Sequence, residues 1–415
     1  MKVSGNNKLF FKVKLKESSQ KEVNMKKLIL ITFAIFLVTN FALAQKSFKK
    51  TYGGDNYDRG ISAQQTSDKG YAIVGYTRSF GAGKDDVYLI KTDTQGSIQW
   101  SNAYGGKDLD NGWAVLQTSD DGFIITGFTR SFGNGGYDVY VVKTDATGKK
   151  QWDKAFGGKG DDRSWDMDKT SDKGFIIIGE TNSSGAGERD ALLLKIDDKG
   201  DQLWEKTYGG PKDDRCFSVR QTPDNGIIFT GITYSFGAGD RDVYVVKTDS
   251  HGKVLWEKTF GGNKSDVGHC VRLTSDGGYI VTGYTASFSK ALNDIYLIKL
   301  DSVGNVKWTK TFGGEDDFHT LYGEETKDNG FILSGGIVNT RTRNMSACLV
   351  KTDNKGSHLW TRRFTEQVFK PITTARGYNG GLTNDGGYIL AGDVFVYGSD
   401  TKSLVYFVKV DKNGN

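Results

Sequence analysis

The chain has 415 residues, with 55 Gly, only 3 Pro, and 24 Phe, 19 Tyr and 8 Trp, a mixture that favours strands and glycine turns over helices. Its formal charge of +5 misleads: residues 1–44 hold eight Lys and two Glu, so the remainder carries −1 and presents no basic footprint for nucleic acid. Three cysteines, Cys216, Cys270 and Cys348, cannot all pair and match no disulfide framework or zinc motif, so stability must come from packing.

In chain order, residues 1–24 read as an upstream extension, disordered or the product of a misplaced start. Residues 25–44, "MKKLILITFAIFLVTNFALA", combine two lysines, an apolar run and a small-residue ending before Gln45. This is the pattern of a signal peptide cut after Ala44. The apolar run is short for a spanning helix, and no Cys at the cleavage point indicates a lipid anchor. The expected product is periplasmic or secreted, with no membrane span in the mature chain.

Residues 45–415 are built from one unit. Trp100, Trp152, Trp204, Trp256, Trp308 and Trp360 are each separated by 52 residues, and one step back stands Phe48. Four residues after each comes Tyr or Phe, followed by Gly-Gly in all but the last unit. Each unit offers four short segments rich in β-branched and aromatic residues, as in "SFKKTY", "ISAQQT", "YAIVGYT" and "DVYLIKTD", separated by Gly, Asp and Ser clusters suited to turns.

The third and fourth segments are apolar on both parities, so both faces of the sheet must be covered. Seven four-stranded antiparallel sheets covered on both faces predict an all-β, seven-bladed β-propeller forming a single domain and a monomer. A β-solenoid is the competing architecture, but its coils are usually shorter. The last unit stops after its fourth segment and the first opens with an orphan strand, so the N-terminal strand is expected to close the ring. Unit seven departs from the pattern at "FTEQVFKPITTARGYNGG", where an atypical loop is expected.

The Asp-x-x-Gly-x-x-x-Trp spacing of "TDSHGKVLW" and "IDDKGDQLW" resembles the tryptophan-docking repeat of quinoprotein-like propellers, and the complete unit looks like the propeller repeats of secreted bacterial and archaeal proteins. The resemblance covers essentially all of 46–415 and implies an architecture more than an activity. It implies quinone chemistry only where a vicinal Cys-Cys pair, a stacking Trp and calcium-binding acids are present, and this chain has no adjacent cysteines.

Residues that recur in every unit read as scaffold. Asp93 and Gly96, with their six counterparts, suit a tight turn in which the carboxylate takes backbone amides and Gly takes positive φ. The six tryptophans read as packing residues, and Lys91 and its counterparts as side chains reaching water past the neighbouring blade. The recurring acids of the crossing loop (Asp58, Asp110, Asp162) and before the fourth strand (Asp86, Asp138, Asp190) are expected to form turns. No cofactor is predicted, and calcium at these acids is the weaker alternative because no loop shows the alternating acids of a calcium motif.

Function is sought where the units differ. One aligned position carries Arg59, Arg163, Arg215 and His319, and positions further along the same strand carry Asp166, Asp168, Arg220 and Arg272. A fixed frame presenting varied polar residues at a ring mouth is suited to binding. Trp113 and Trp165 are candidate ligand platforms, although inter-blade packing is the favoured expectation for them. His269 and His319, near several acids, make a weak metal candidate.

The expectation is therefore a non-catalytic binding or scaffold propeller that recognises a protein or glycan on the face bearing the crossing loops. The alternatives are a carbohydrate-active enzyme using Asp162, Asp166 and Asp168, then a quinone- or metal-dependent enzyme, or a subunit of a larger surface assembly.

Overall fold

Both parities of the central segments are apolar because both faces are buried. The computed structural model describes residues 46–290, 292–364, 374–396 and 402–415. The predicted signal peptide, the extension before it and residues 365–373 of the irregular seventh unit lie outside the described residues. Within Lys46–Asn415, 28 strands form seven four-stranded antiparallel sheets, with no helix among the described residues. This is a seven-bladed β-propeller.

The third blade shows the plan. Its innermost strand is Asp162–Lys169, followed outward by Phe175–Thr181, Asp190–Ile196 and Gln202–Tyr208. The two middle strands are buried at every residue, whereas the outermost exposes Gln202, Leu203, Glu205 and Lys206. The core lies between blades: Ile178 and Leu193 of the third pack with Val219, Phe229 and Val246 of the fourth.

Each blade ends in the hairpin that carries Asp-x-x-Gly. Asp93 Oδ1 accepts from the amides of Gln95 and Ser97, both at 2.8 Å, and Gly96 takes φ 74°. The tryptophan that follows covers the hairpin glycine of the next blade. A Cβ added to Gly148 would sit 2.5 Å from Trp100 Cζ3, and the same close approach joins Trp152 to Gly200 and Trp360 to Gly414. Gly therefore serves twice there, for backbone sign and for the ring above it. Where the aromatic four residues on is Tyr, its hydroxyl can donate to the same glycine's carbonyl, as Tyr208 does to Gly252 at 2.7 Å.

Phe48–Tyr52 is the outermost strand of the seventh blade. It pairs antiparallel with Lys402–Val410, Phe48 opposite Lys409, and the sheet continues to Tyr388–Val396 and Thr374–Leu382. Phe48 then covers Gly96 of the first blade, its Cε2 2.6 Å from where a Cβ would stand. The N-terminal strand closes the ring with the contact the tryptophans make elsewhere.

The recurring lysines differ from expectation. Lys143 does not reach water: its side chain is 8% exposed, and Nζ donates to Asp120 Oδ2 and to the Thr144 carbonyl, both at 2.8 Å. The Thr-Ser-Asp turn between the first two strands brings its half-exposed acid over the end of the third, so the ammonium is met at the rim of its own blade. The same pairing joins Lys91 to Asp68 and Lys409 to Asp385.

Candidate ligand-binding channel

The seven innermost strands surround the axis, and each is interrupted by a bulge at the same position. In the third blade the register with the second strand shifts between Ser164 and Asp166, leaving Trp165 as the extra residue. The second strand explains why. Gly179 lies against the carbonyl of Arg163, where a Cβ would overlap the oxygen, and Gly75, Gly127, Gly231, Gly283, Gly335 and Gly392 repeat that approach. A glycine inside a strand, where it otherwise weakens pairing, marks such a bulge.

The bulged residues are Ile61, Trp113, Trp165, Phe217, His269, Leu321 and, with one additional residue, Tyr378–Asn379. All of them line one cavity of 340 Å³ on the crossing-loop side of the channel. Trp113 and Trp165 therefore border the channel, and they also pack across the blade boundaries, Trp165 lying 5.9 Å from Phe128 of the second blade and 6.4 Å from Phe217 of the fourth. Their rings meet edge to face at 4.5 Å and 87°, and Phe217 and His269 continue the arc, stacked at 5.0 Å. The Nε1–H of each indole is buried and donates to no atom of the described residues. Burial, with His319 and Arg241 adding positive charge, pushes the His269 imidazole down to about 3, so it is neutral near pH 7.

Charge at the mouth is arranged in clusters of opposite sign, in which Glu180 Oε2 and Asp393 Oδ1 accept no hydrogen bond from the described residues. Glu180, 2% exposed, lies 3.0 Å from Arg163, 3.7 Å from Arg215 and 3.9 Å from Arg189. Arg163 and Arg215 also pair with Asp161 and Asp213. Across the ring Asp393, fully buried, takes Arg59 Nε at 3.4 Å, and Arg59 lies over the Tyr378 ring at 5.2 Å. Burial raises the Asp393 carboxyl above its usual range, against the opposing charges of Arg59 and Arg376. Glu180 and Asp393 escape a sequence reading because they replace Tyr76, Phe128 and Ile232 in an otherwise apolar strand.

A second cavity, of 370 Å³, lies toward the opposite face and is lined by Gln64, Asp168, Arg220 and Glu324 among others. Asp166, Arg272, Tyr322 and Asn379 border both cavities and form the partition. Asp166 Oδ2 accepts from Ser218 Oγ at 3.0 Å and Arg220 at 2.8 Å, tying the third blade to the fourth. Arg272 repeats the step, donating to Ser218 Oγ at 3.0 Å and lying over Tyr322 at 4.7 Å.

Of the residues singled out in the sequence, Trp113, Trp165, Arg215, His269 and Arg272 converge on the first cavity, and Asp168 and Arg220 on the second. Arg59, Arg163 and His319 line neither, and His319 pairs with Asp317 at 3.0 Å. Of the acids proposed for catalysis, Asp166 and Asp168 share the second cavity and Asp162 lines neither. Asp162 is a buried loop anchor that accepts from Gly158 N at 2.8 Å and Ser183 Oγ at 2.6 Å, and Asp166 is held by Ser218 and Arg220. Asp168 Oδ2 accepts from Gln221 N at 3.0 Å.

Cys216, Cys270 and Cys348 are free and buried in three separate blades. Among the described residues, no group of three His, Cys, Asp or Glu side chains is placed to hold a metal ion. No described helix is long and apolar enough to cross a membrane.

The fold and channel define a seven-bladed propeller with an aromatic-lined axial cavity. No protein-family model and no curated protein matches the chain. Among solved structures it is similar to puromycin hydrolase, at 12% identity and TM-score 0.45, over 84% of this chain and 63% of that one. It is also similar to the periplasmic gluconolactonase of Pseudomonas aeruginosa, at 10% identity and TM-score 0.47, covering 86% and 97%. A third is the β-propeller domain of the trilobed protease of Pyrococcus furiosus, at 12% identity and TM-score 0.44, covering 85% and 96%. The likeness is one of fold, and this chain spans less than two thirds of puromycin hydrolase.

Proposed function

We propose that the chain is an exported, non-catalytic binding propeller whose protein or glycan ligand approaches the crossing-loop face and inserts one group into the channel. The observation that carries this is the set of seven bulges, which turn otherwise unlike residues into one cavity of 340 Å³. That volume falls within the range of about 300–1,000 Å³ typical of ligand pockets. The binding reading is supported over catalysis by Asp166, which borders both cavities and is held by Ser218 and Arg220.

Screening wild type, Trp165→Ala and the outer-strand variant Glu205→Gln against glycan and peptide arrays tests the proposal. It predicts a ligand retained by Glu205→Gln and lost by Trp165→Ala. Retention by both variants of every ligand found would contradict it. Export is checked by sequencing the N-terminus of the secreted product, which should begin at Gln45.

A further inference from the structure

We infer that the group inserted into the channel is an apolar body tipped with a hydrogen-bond donor, an N–H or O–H, and that Glu180 is the residue that receives it. This rests on the binding reading above and deepens it, naming the end of the ligand that enters and the side chain that selects it.

Glu180 is buried in the wall of the 340 Å³ cavity, and its two oxygens have different surroundings. Oε1 takes Arg163 Nη1 at 3.0 Å with Arg189 at 3.9 Å, and neither arginine borders the cavity. Oε2 lies 3.7 Å from Nε of Arg215, which does border it. Arg215 is held away from that oxygen, because its Nε and Nη2 donate to Asp213. Oε2 is thus left on the cavity side, accepting no hydrogen bond from the described residues.

The other acid in that wall is already engaged. Asp166 Oδ1 accepts from Met167 N at 2.9 Å, and Oδ2 accepts from Ser218 and Arg220. A buried acceptor left unpaired costs free energy that a donor recovers, so the wall gains from an N–H or O–H brought to Glu180 Oε2. A carboxylate or an ether brought to the same place would set lone pairs against lone pairs. Formal charge adds no preference between an ammonium and a hydroxyl, because Glu180, Asp161 and Asp213 balance Arg163, Arg189 and Arg215.

The rest of the inserted group is apolar, because Ile61, Trp113, Trp165, Phe217 and Leu321 border the same cavity. Aromatic walls accept an alkyl chain, a ring or the flank of an ammonium alike. The walls therefore set the apolar body, and Glu180 sets the polar tip.

NMR titration with four probes that share a phenyl ring and a two-carbon arm tests this: phenethylamine, phenethyl alcohol, the methyl ether of that alcohol, and phenylacetate. The proteins are wild type, Trp165→Ala, Glu180→Gln and the outer-strand control Glu205→Gln. At least one of the amine and the alcohol should bind wild type and Glu205→Gln about tenfold or more tightly than the ether and phenylacetate, and Trp165→Ala should weaken it. In Glu180→Gln the preference should disappear, because an amide whose oxygen keeps Arg163 turns its NH2 to the cavity side. A side chain that only braced the arginines would instead weaken all four probes alike. Should Glu180→Gln fail to fold, the ranking of the probes by wild type decides. An ether or phenylacetate that matches the better donor, or a preference unchanged in Glu180→Gln, would overturn the donor inference and leave the binding propeller standing. Absence of Trp165-dependent binding by every probe would overturn it as well, whereas array ligands all retained by Trp165→Ala would overturn the binding reading itself.

Discussion

Gly179 lies against the backbone carbonyl of Arg163 with no room for a Cβ between them, and that contact lets the innermost strand carry its extra residue, Trp165, to the axis. Gly179→Ala should therefore cost about 1–3 kcal/mol, the usual range for a forced overpacking. It should also weaken ligand binding, because the bulge must flatten or shift to admit the methyl group. Urea unfolding gives the first quantity and titration the second. Unchanged stability together with unchanged binding would show that the bulge does not depend on the glycine.

Two glycines of similar φ should behave differently. Gly148 has φ 80° beneath Trp100, whereas Gly277 has φ 77° with nothing within 4 Å, and Lys69, Asp121 and Asn225 hold positive φ at matching turns of other blades. Gly148→Ala should cost roughly 2 kcal/mol or more from the left-handed backbone and the ring contact. Gly277→Asn should cost under about 1 kcal/mol. Chemical denaturation of the two variants measures the contrast.

Ring closure depends on Phe48, which packs on Tyr71 at a centroid distance of 5.9 Å and covers Gly96. Phe48→Ala should cost about 3 kcal/mol, at the low end for aromatic deletions because the ring is only half-buried. Hydrogen exchange should rise first in Lys402–Val410, the strand Phe48–Tyr52 covers. Exchange rising uniformly round the ring would count against a local seam.

Acid should act on two sets of aspartates in opposite directions. Partial burial works against ionisation of Asp120, yet hydrogen bonds from Lys143 and Thr118 hold its carboxyl down at about 2, and Lys195 and Thr170 do the same for Asp172. Their contribution is present above the ordinary value of 3.8 and is lost as pH falls toward 2. Burial, with Asp162 beside it, instead raises Asp138. Its contribution is present below 3.8 and is lost as pH rises through the higher folded value. Urea midpoints across pH should show the deficit of Asp120→Asn/Asp172→Asn shrinking toward acid and that of Asp138→Asn shrinking toward neutrality.

The architecture was legible because its causes repeat: the 52-residue tryptophan interval, the Asp-x-x-Gly hairpin and the apolar runs each state one blade seven times. The channel was half legible. Arg215, His269, Arg272, Trp113 and Trp165 stood out as variable residues in a fixed frame, but a bulge carries no residue type of its own, so nothing in the strand itself marked why the two tryptophans reach the cavity while packing across blades. The signal was on the neighbouring strand, where a glycine recurs in every blade from Gly75 to Gly392. Tyr378 was hidden by the additional residue in the seventh bulge. Glu180 and Asp393 were hidden inside strands whose neighbours are apolar, and their arginine partners belong in part to adjoining blades.

Six tryptophans lie against the hairpin glycine of the next blade, and Trp113 and Trp165 line the cavity in which we propose that ligand binds. Fluorine NMR of protein labelled with 5-fluorotryptophan, with resonances assigned through single Trp→Phe variants, separates the two groups. On addition of a ligand found on the arrays, the signals of Trp113 and Trp165 should shift while those of Trp100, Trp152, Trp204, Trp256, Trp308 and Trp360 hold still. Shifts among those six with Trp113 and Trp165 unmoved would place the ligand outside the channel and contradict the proposed function.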